Sequence, residues 1–147
     1  MSKIIIYNSK TGFTEKYAKW LGEDLGIPTI SFKEVKEQDL NQYDTVIYGA
    51  SILAGMIRGL GEIKKMNLKN LVVFAVGFTV ESKEYENTLI KNNNLDSKLF
   101  YLRGGVDFDK LGFFSRFIFK KASKQTVSVD MTSKNYLAPI EDYIKTL

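Results

Sequence analysis

The chain has 147 residues, 44% of them hydrophobic, a formal net charge of +4, and neither cysteine nor histidine. That size and apolar content suit one ordinary domain with a real core, and the missing residue types exclude disulfides, thiolate catalysis, cysteine-held iron–sulfur clusters, the imidazole base and metal ligand, and the usual haem ligand. No catalytic side chain and no metal site is expected, and redox chemistry, if the protein performs any, belongs to a bound organic cofactor. The N-terminus lacks the apolar region of a signal peptide, and the longest apolar stretch, Leu71 to Phe78, is too short to span a bilayer, so a soluble cytoplasmic protein is expected.

Short apolar runs alternate with longer amphipathic stretches, which predicts an α/β fold with a parallel sheet covered on both faces. The first strand, Lys3 to Asn8, runs into Ser9-Lys10-Thr11-Gly12-Phe13-Thr14 and then into a helix from Phe13 to Leu25. On that helix Phe13, Tyr17, Trp20, Leu21 and Leu25 recur at helical spacing, which assigns Trp20 to the core, and Gly26 is a natural stop. A strand that passes through such a turn into a helix leaves backbone N–H groups unpaired and directs the helix dipole at them. Ser9, Thr11 and Thr14 add hydroxyl donors, Gly12 permits close approach of the backbone, and no acid precedes Thr14. Two readings fit this turn: a phosphate seat, or an ordinary capped helix in which Glu15 closes a capping box. The glycine and lysine spacing of a Walker loop and the three glycines of a dinucleotide fingerprint are both missing. The strand ends in Asn8-Ser9, without the carboxylates that hold a metal in receiver domains.

Thr29 to Phe32 reads as a short second strand, and Thr45 to Tyr48 as a third, ending at Gly49-Ala50-Ser51. Glycines 55, 59 and 61 lead into a short helix near Glu62 to Met66. Leu71 to Val76 is the most apolar strand and ends at Gly77-Phe78-Thr79; a helix spans Ser82 to Lys91; Lys98 to Leu102 is a fifth strand ending at Gly104-Gly105; Thr132 to Leu147 reads as a terminal helix. Strand ends at 8, 49, 77 and 103 then share one edge of the sheet, where open α/β sheets bind ligands. Three small-residue loops there, Ser9 to Thr14, Ala50 to Gly55 and Gly77 to Thr79, suit a flat ligand with a phosphate tail.

Tyr7-Asn8-Ser9-Lys10-Thr11-Gly12-Phe13-Thr14 resembles the flavodoxin phosphate loop, in which hydroxyl, any residue, hydroxyl, Gly, any residue and Thr follow one another. The resemblance extends along the chain and implies a flavodoxin-like three-layer sandwich with a five-stranded parallel sheet of order 2-1-3-4-5, binding FMN non-covalently. It implies that Ser9, Lys10, Thr11, Gly12, Phe13 and Thr14 take the phosphate, that Ala50, Ser51, Ile52, Leu53, Ala54 and Gly55 hold the pyrimidine side of the ring, and that Gly77, Phe78 and Thr79 form the remaining wall. For Gly55 it implies the peptide rearrangement by which such proteins stabilise a half-reduced flavin. Tyr43 to Ile52, Arg103 to Leu111 and the segment beyond them are similar to the branch containing quinone-dependent protoporphyrinogen oxidases. The Trp of the second loop and the Tyr of the third that sandwich the ring in many carriers are missing, which implies a more open flavin face, and the chain is basic where carriers are usually acidic.

The resemblance leaves two functions open: an oxidoreductase with a porphyrinogen-like substrate and a quinone acceptor, or a carrier between redox partner proteins. What distinguishes this chain is an inserted segment near 106–130, longer than a strand–helix connection needs. Lys110, Arg116, Lys120, Lys121 and Lys124 stand there with no acid between them. A helix from Lys110 to Lys124 puts Leu111, Phe114, Ile118 and Ala122 on one face and Arg116, Lys120 and Ser123 opposite, with Phe113, Phe117 and Phe119 broadening the apolar side. Residues 110–124 therefore read either as a packing helix with a solvated back or as a peripheral contact with anionic membrane or a dianionic substrate. Nucleic acid is not expected, for want of a recognised motif.

Overall fold

In the computed structural model, β1 (Lys3–Asn8) holds Ile4, Ile5 and Ile6 all out of solvent, which a strand achieves only when both faces of its sheet are covered. The structure describes residues 2–36, 40–110, 112, 116–117, 120–121 and 128–147. In chain order the further elements are α1 (Phe13–Leu25), β2 (Thr29–Ser31), β3 (Thr45–Leu53), β4 (Met56–Ile57), α2 (Leu60–Lys65), β5 (Leu71–Gly77), α3 (Lys83–Asn92), β6 (Lys98–Arg103), β7 (Gly105–Val106), β8 (Val129–Asp130) and α4 (Ala138–Lys145).

Five parallel strands run in the order β2-β1-β3-β5-β6, with β4 folded back antiparallel on the far end of β3. The register places Ile5 beside Ile47 and Ile47 beside Val72. Because side chains alternate along a strand, these residues share one face, where Tyr17, Ala18 and Leu21 of α1 and Ile140 and Ile144 of α4 cover them. Ile4, Ile6, Val46, Tyr48 and Val73 point the other way, onto Leu60 and Ile63 of α2 and onto Leu40. The resulting three layers and strand order are those of the flavodoxin-like fold.

Gly49 sits in the middle of the sheet because nothing larger fits. A Cβ there would lie 2.0 Å from Cζ of Phe74, its cross-strand neighbour on β5. β3 does not stop at Tyr48, as the apolar run alone suggested. It continues to Leu53, and Ala50 within it is fully buried. The expected terminal helix is split: a 3-10 turn over Lys134–Leu137 precedes α4, whose first turn holds Pro139, a residue with no N–H to donate.

A second, two-stranded sheet pairs β7 with β8 antiparallel, so Val106, just past the C-terminal end of β6, lies beside Val129. Most of the helix expected over Lys110 to Lys124, including Leu111, Phe113, Phe114, Ile118, Phe119 and Lys124, lies outside the described residues. Within it, Arg116, Phe117, Lys120 and Lys121 are helical. Among the described residues no helix is long and apolar enough to cross a membrane.

Candidate functional site

The C-terminal ends of β1, β3 and β5 surround a cleft of about 590 Å³, counted to its open mouth. Lys10, Thr11, Phe13 and Thr14 line it from the first loop, Ser51, Ile52 and Leu53 from the second, and Gly77 and Phe78 from the third. The three loops expected from the sequence thus meet at one place.

The first loop is built to leave donors free. Gly12 is the N-cap of α1 with φ 101°, and no side chain caps the helix. The capping-box reading of Glu15 is not realised; its carboxylate pairs with Lys19 at 2.8 Å. Ser9 does not line the cleft but holds the turn, its Oγ accepting from the Gly12 amide at 3.0 Å. The first intrahelical bond is donated by Lys16 to the Gly12 carbonyl, so the first-turn amides of Phe13, Thr14 and Glu15 precede the helical ladder. Thr14 is only 1% exposed, and its Oγ1 has no hydrogen-bond partner.

The second loop is a hairpin arm. Ala54 and Gly55 both take positive φ, 52° and 77°, the geometry of a two-residue turn that joins twisted antiparallel strands. Asn93 clamps it: its Oδ1 accepts from the Ile57 amide at 2.9 Å, and its Nδ2 donates to the Gly55 carbonyl at 3.1 Å. Ala54 and Gly55 are therefore the tip of the arm and not cleft lining, and the Gly55 carbonyl is engaged by Asn93. The arm returns Arg58 to the cleft. The Arg58 amide donates to the Ser51 carbonyl at 3.0 Å, and the Arg58 carbonyl accepts from the Tyr48 hydroxyl at 2.5 Å. Asn8 donates to that same hydroxyl at 3.2 Å. Burial pushes the Tyr48 hydroxyl up to about 12, which keeps it protonated and donating near neutral pH. Ser51 Oγ and Arg58 Nε are both buried without a partner.

The third loop is held from β6. Tyr101 donates its hydroxyl to the Thr79 carbonyl at 2.6 Å, and Arg103 donates Nε–H to the Phe78 carbonyl at 3.3 Å while its guanidinium lies 5.6 Å from the Phe78 ring centre. Thr79 thus ties the loop to β6 through its carbonyl and does not itself line the cleft. Gly105 and Val106 complete the rim. Trp20 lies elsewhere, packed edge-on against Tyr17.

Arg58, Val76, Gly105 and Val106 also line the cleft, though the sequence assigned none of them to a ligand. Val76 and Gly105 adjoin strand ends that had been recognised. Arg58 left no signal, because it follows a turn whose hairpin character the glycine-spaced run 55–61 conceals. The charged side chains of the lining are Lys10 and Arg58, and no carboxylate is among the described residues of that wall. The arrangement presents orphaned hydroxyl and guanidinium donors, first-turn amides and apolar walls, which together suit an anionic ligand with a flat apolar body.

A parallel sheet of this order, covered on both faces and with an uncapped helix N-terminus after its first strand, is the architecture of flavodoxin-like proteins. The profile of the flavodoxin domain family matches residues 4–133, and the chain belongs to that family. No curated protein matches it. Among solved structures it is similar to a candidate flavoprotein from Bacteroides eggerthii DSM 20697, at 16% identity over 85% of this chain and 99% of that one, with a TM-score of 0.52. It is also similar to oxidised Flavodoxin 2 from Bacillus cereus, at 17% identity over 70% of this chain and 84% of that one, with a TM-score of 0.51. At these identities the likeness establishes the fold.

Proposed function

We propose that the protein is an FMN-binding oxidoreductase of the flavodoxin domain family. The observation that carries this reading is the set of buried, unpartnered polar atoms in the cleft, Thr14 Oγ1, Ser51 Oγ and Arg58 Nε, since such atoms are costly unless a ligand satisfies them. Thr11, Thr14 and the first-turn amides would hold the phosphate, with Ser9 and Gly12 shaping the loop around it. Ser51, Ile52 and Leu53 would face one side of the ring, and Gly77 and Phe78, backed by Thr79, the other. Ala50, Ala54 and Gly55 support the second wall from within β3 and from the hairpin turn. When bound, FMN supplies the electron-transfer chemistry that this set of side chains lacks. The chain's own part is to bind, to orient and to exclude water with the apolar walls.

For the reaction we favour a porphyrinogen-like or other reduced organic donor and a quinone acceptor, as in the protoporphyrinogen oxidase branch. The basic segment after β7 supports it, because the exposed Lys120 and Lys121 there would draw a dianionic substrate. Phe117 is 58% exposed with the Lys121 ammonium 5.9 Å from its ring centre, which supports reading this segment as a contact for anionic membrane where quinones reside. The second reading is a carrier that passes electrons to a redox partner protein. Met56 and Val80, 51% and 60% exposed beside the second and third loops, favour it as apolar docking points.

FMN-loaded protein assayed with protoporphyrinogen and a menaquinone analogue separates the two. Oxidation coupled to quinone reduction supports the enzyme. A loaded protein that exchanges electrons with redox proteins and leaves both small molecules untouched supports the carrier.

A further inference from the structure

The cleft carries more positive charge than a seat of hydroxyls and amides requires. Lys10 and Arg58 line it, and a third cation stands outside that lining, in the turn after β7. The Lys110 Nζ lies 3.9 Å from where a Cβ on Gly12 would stand, so it overhangs the N-terminus of α1. The acids nearby are engaged: Glu15 with Lys19 at 2.8 Å, and Asp130 with Lys16 at 2.9 Å. Asp107 faces Lys110 at 4.0 Å, with the Lys110 side chain 62% exposed, a loose surface pair that leaves the ammonium able to donate elsewhere. In the first turn of α1, Thr14 keeps its buried Oγ1 without a partner.

We propose that Lys10, Arg58 and Lys110 form a cationic clamp on the dianionic end of the ligand. The phosphate is then held by side-chain charge as well as by the amides and hydroxyls of the α1 N-terminus. The proposal rests on the FMN reading above. The main chain of Arg58 is held in place beside the cleft, its amide and carbonyl both tied to β3, through Ser51 and Tyr48. The Asn8 bond to Tyr48 anchors this point to the end of β1, where the phosphate loop begins. Lys10 belongs to the first loop, Lys110 stands beside it at Gly12, and Arg58 lines the same cleft, so three separate stretches of chain bring a cation to this site.

The clamp makes the protein selective for the phosphate ester over its dephosphorylated form, in a salt-dependent way. Flavin fluorescence quenching on the full-length chain reads this directly, with FMN and riboflavin at low and high ionic strength. The chains compared are wild type, Arg58→Gln and Lys110→Gln, with Lys110→Arg as the control that keeps the charge. The clamp predicts that FMN affinity falls about tenfold in each Gln variant, falls with salt in wild type, and is retained in Lys110→Arg, while riboflavin affinity changes little throughout. FMN binding that ignores salt and is unchanged in both Gln variants overturns the clamp and leaves the FMN reading standing. Wild type that binds neither flavin overturns both. The salt dependence is measured on wild type, so that arm does not depend on how the variants fold.

Discussion

At the scale of single residues, Thr14 and Gly49 show how one position can be set for a ligand and another for packing. Thr14 keeps a buried hydroxyl with nothing to bond. Removing that hydroxyl while keeping the side-chain shape should relieve the folded protein and harm the ligand. Thr14→Val is expected to hold or raise the melting temperature and to weaken FMN binding about tenfold, both readable from a thermal melt and a flavin titration. Gly49 belongs to the Gly49-Ala50-Ser51 stretch, yet its constraint is the Phe74 ring, 2.0 Å from where a Cβ would stand. Gly49→Ala is expected to cost about 1–3 kcal/mol by overpacking, seen as a lower urea midpoint at unchanged slope. Phe74→Leu in the same chain should recover part of the loss.

Among the elements, the β3–β4 arm is the least expected and the most informative. Its turn, its return strand and its cleft residue Arg58 all depend on side chains distant in sequence: Asn93 at the tip, and Tyr48 with Asn8 at the base. Asn93 is 8% exposed and also donates to the Leu89 carbonyl at 2.9 Å, so it ties the arm to the end of α3. Asn93→Ala leaves the Ile57 amide and the Gly55 carbonyl without that partner. It is expected to destabilise the protein by about 2–3 kcal/mol, and to speed hydrogen exchange at Ile57 well beyond that at the β1 and β5 amides. Unchanged exchange at Ile57 would show that the arm does not need the clamp.

For the whole molecule, buried tyrosines link stability to alkaline pH. Tyr17 and Tyr48 are both raised by burial from 10.0 to about 12. Between those values the unfolded chain has already lost protons that the folded chain retains, so stability falls as pH rises. The contribution is whole below pH 10 and is lost as pH climbs through about 12. Urea midpoints should therefore be insensitive to these groups below pH 10 and drop above it, with a shallower drop in Tyr48→Phe. An equal slope in the variant would detach Tyr48 from the effect.

Much of this architecture was legible in the sequence. The isoleucine run of β1, the helical spacing of α1 and the glycines after the strands were enough to locate the edge where the loops meet, and the phosphate-loop pattern supplied the strand order through its family. What escaped has a common physical cause. β3 was cut short at Tyr48 because glycine and alanine inside a strand look like loop punctuation, and only the Phe74 ring explains Gly49. Arg58 enters the cleft by way of the β3–β4 arm, and Lys110 reaches Gly12 from the turn after β7, tertiary contacts that no local pattern encodes.

If the cleft is built for FMN, titration of the purified, flavin-free protein with FMN will show it. Saturable quenching of flavin fluorescence at one FMN per chain, and a yellow protein after removal of excess ligand, are the expected results. A protein that stays colourless, with FMN fluorescence unquenched at every concentration, would contradict it.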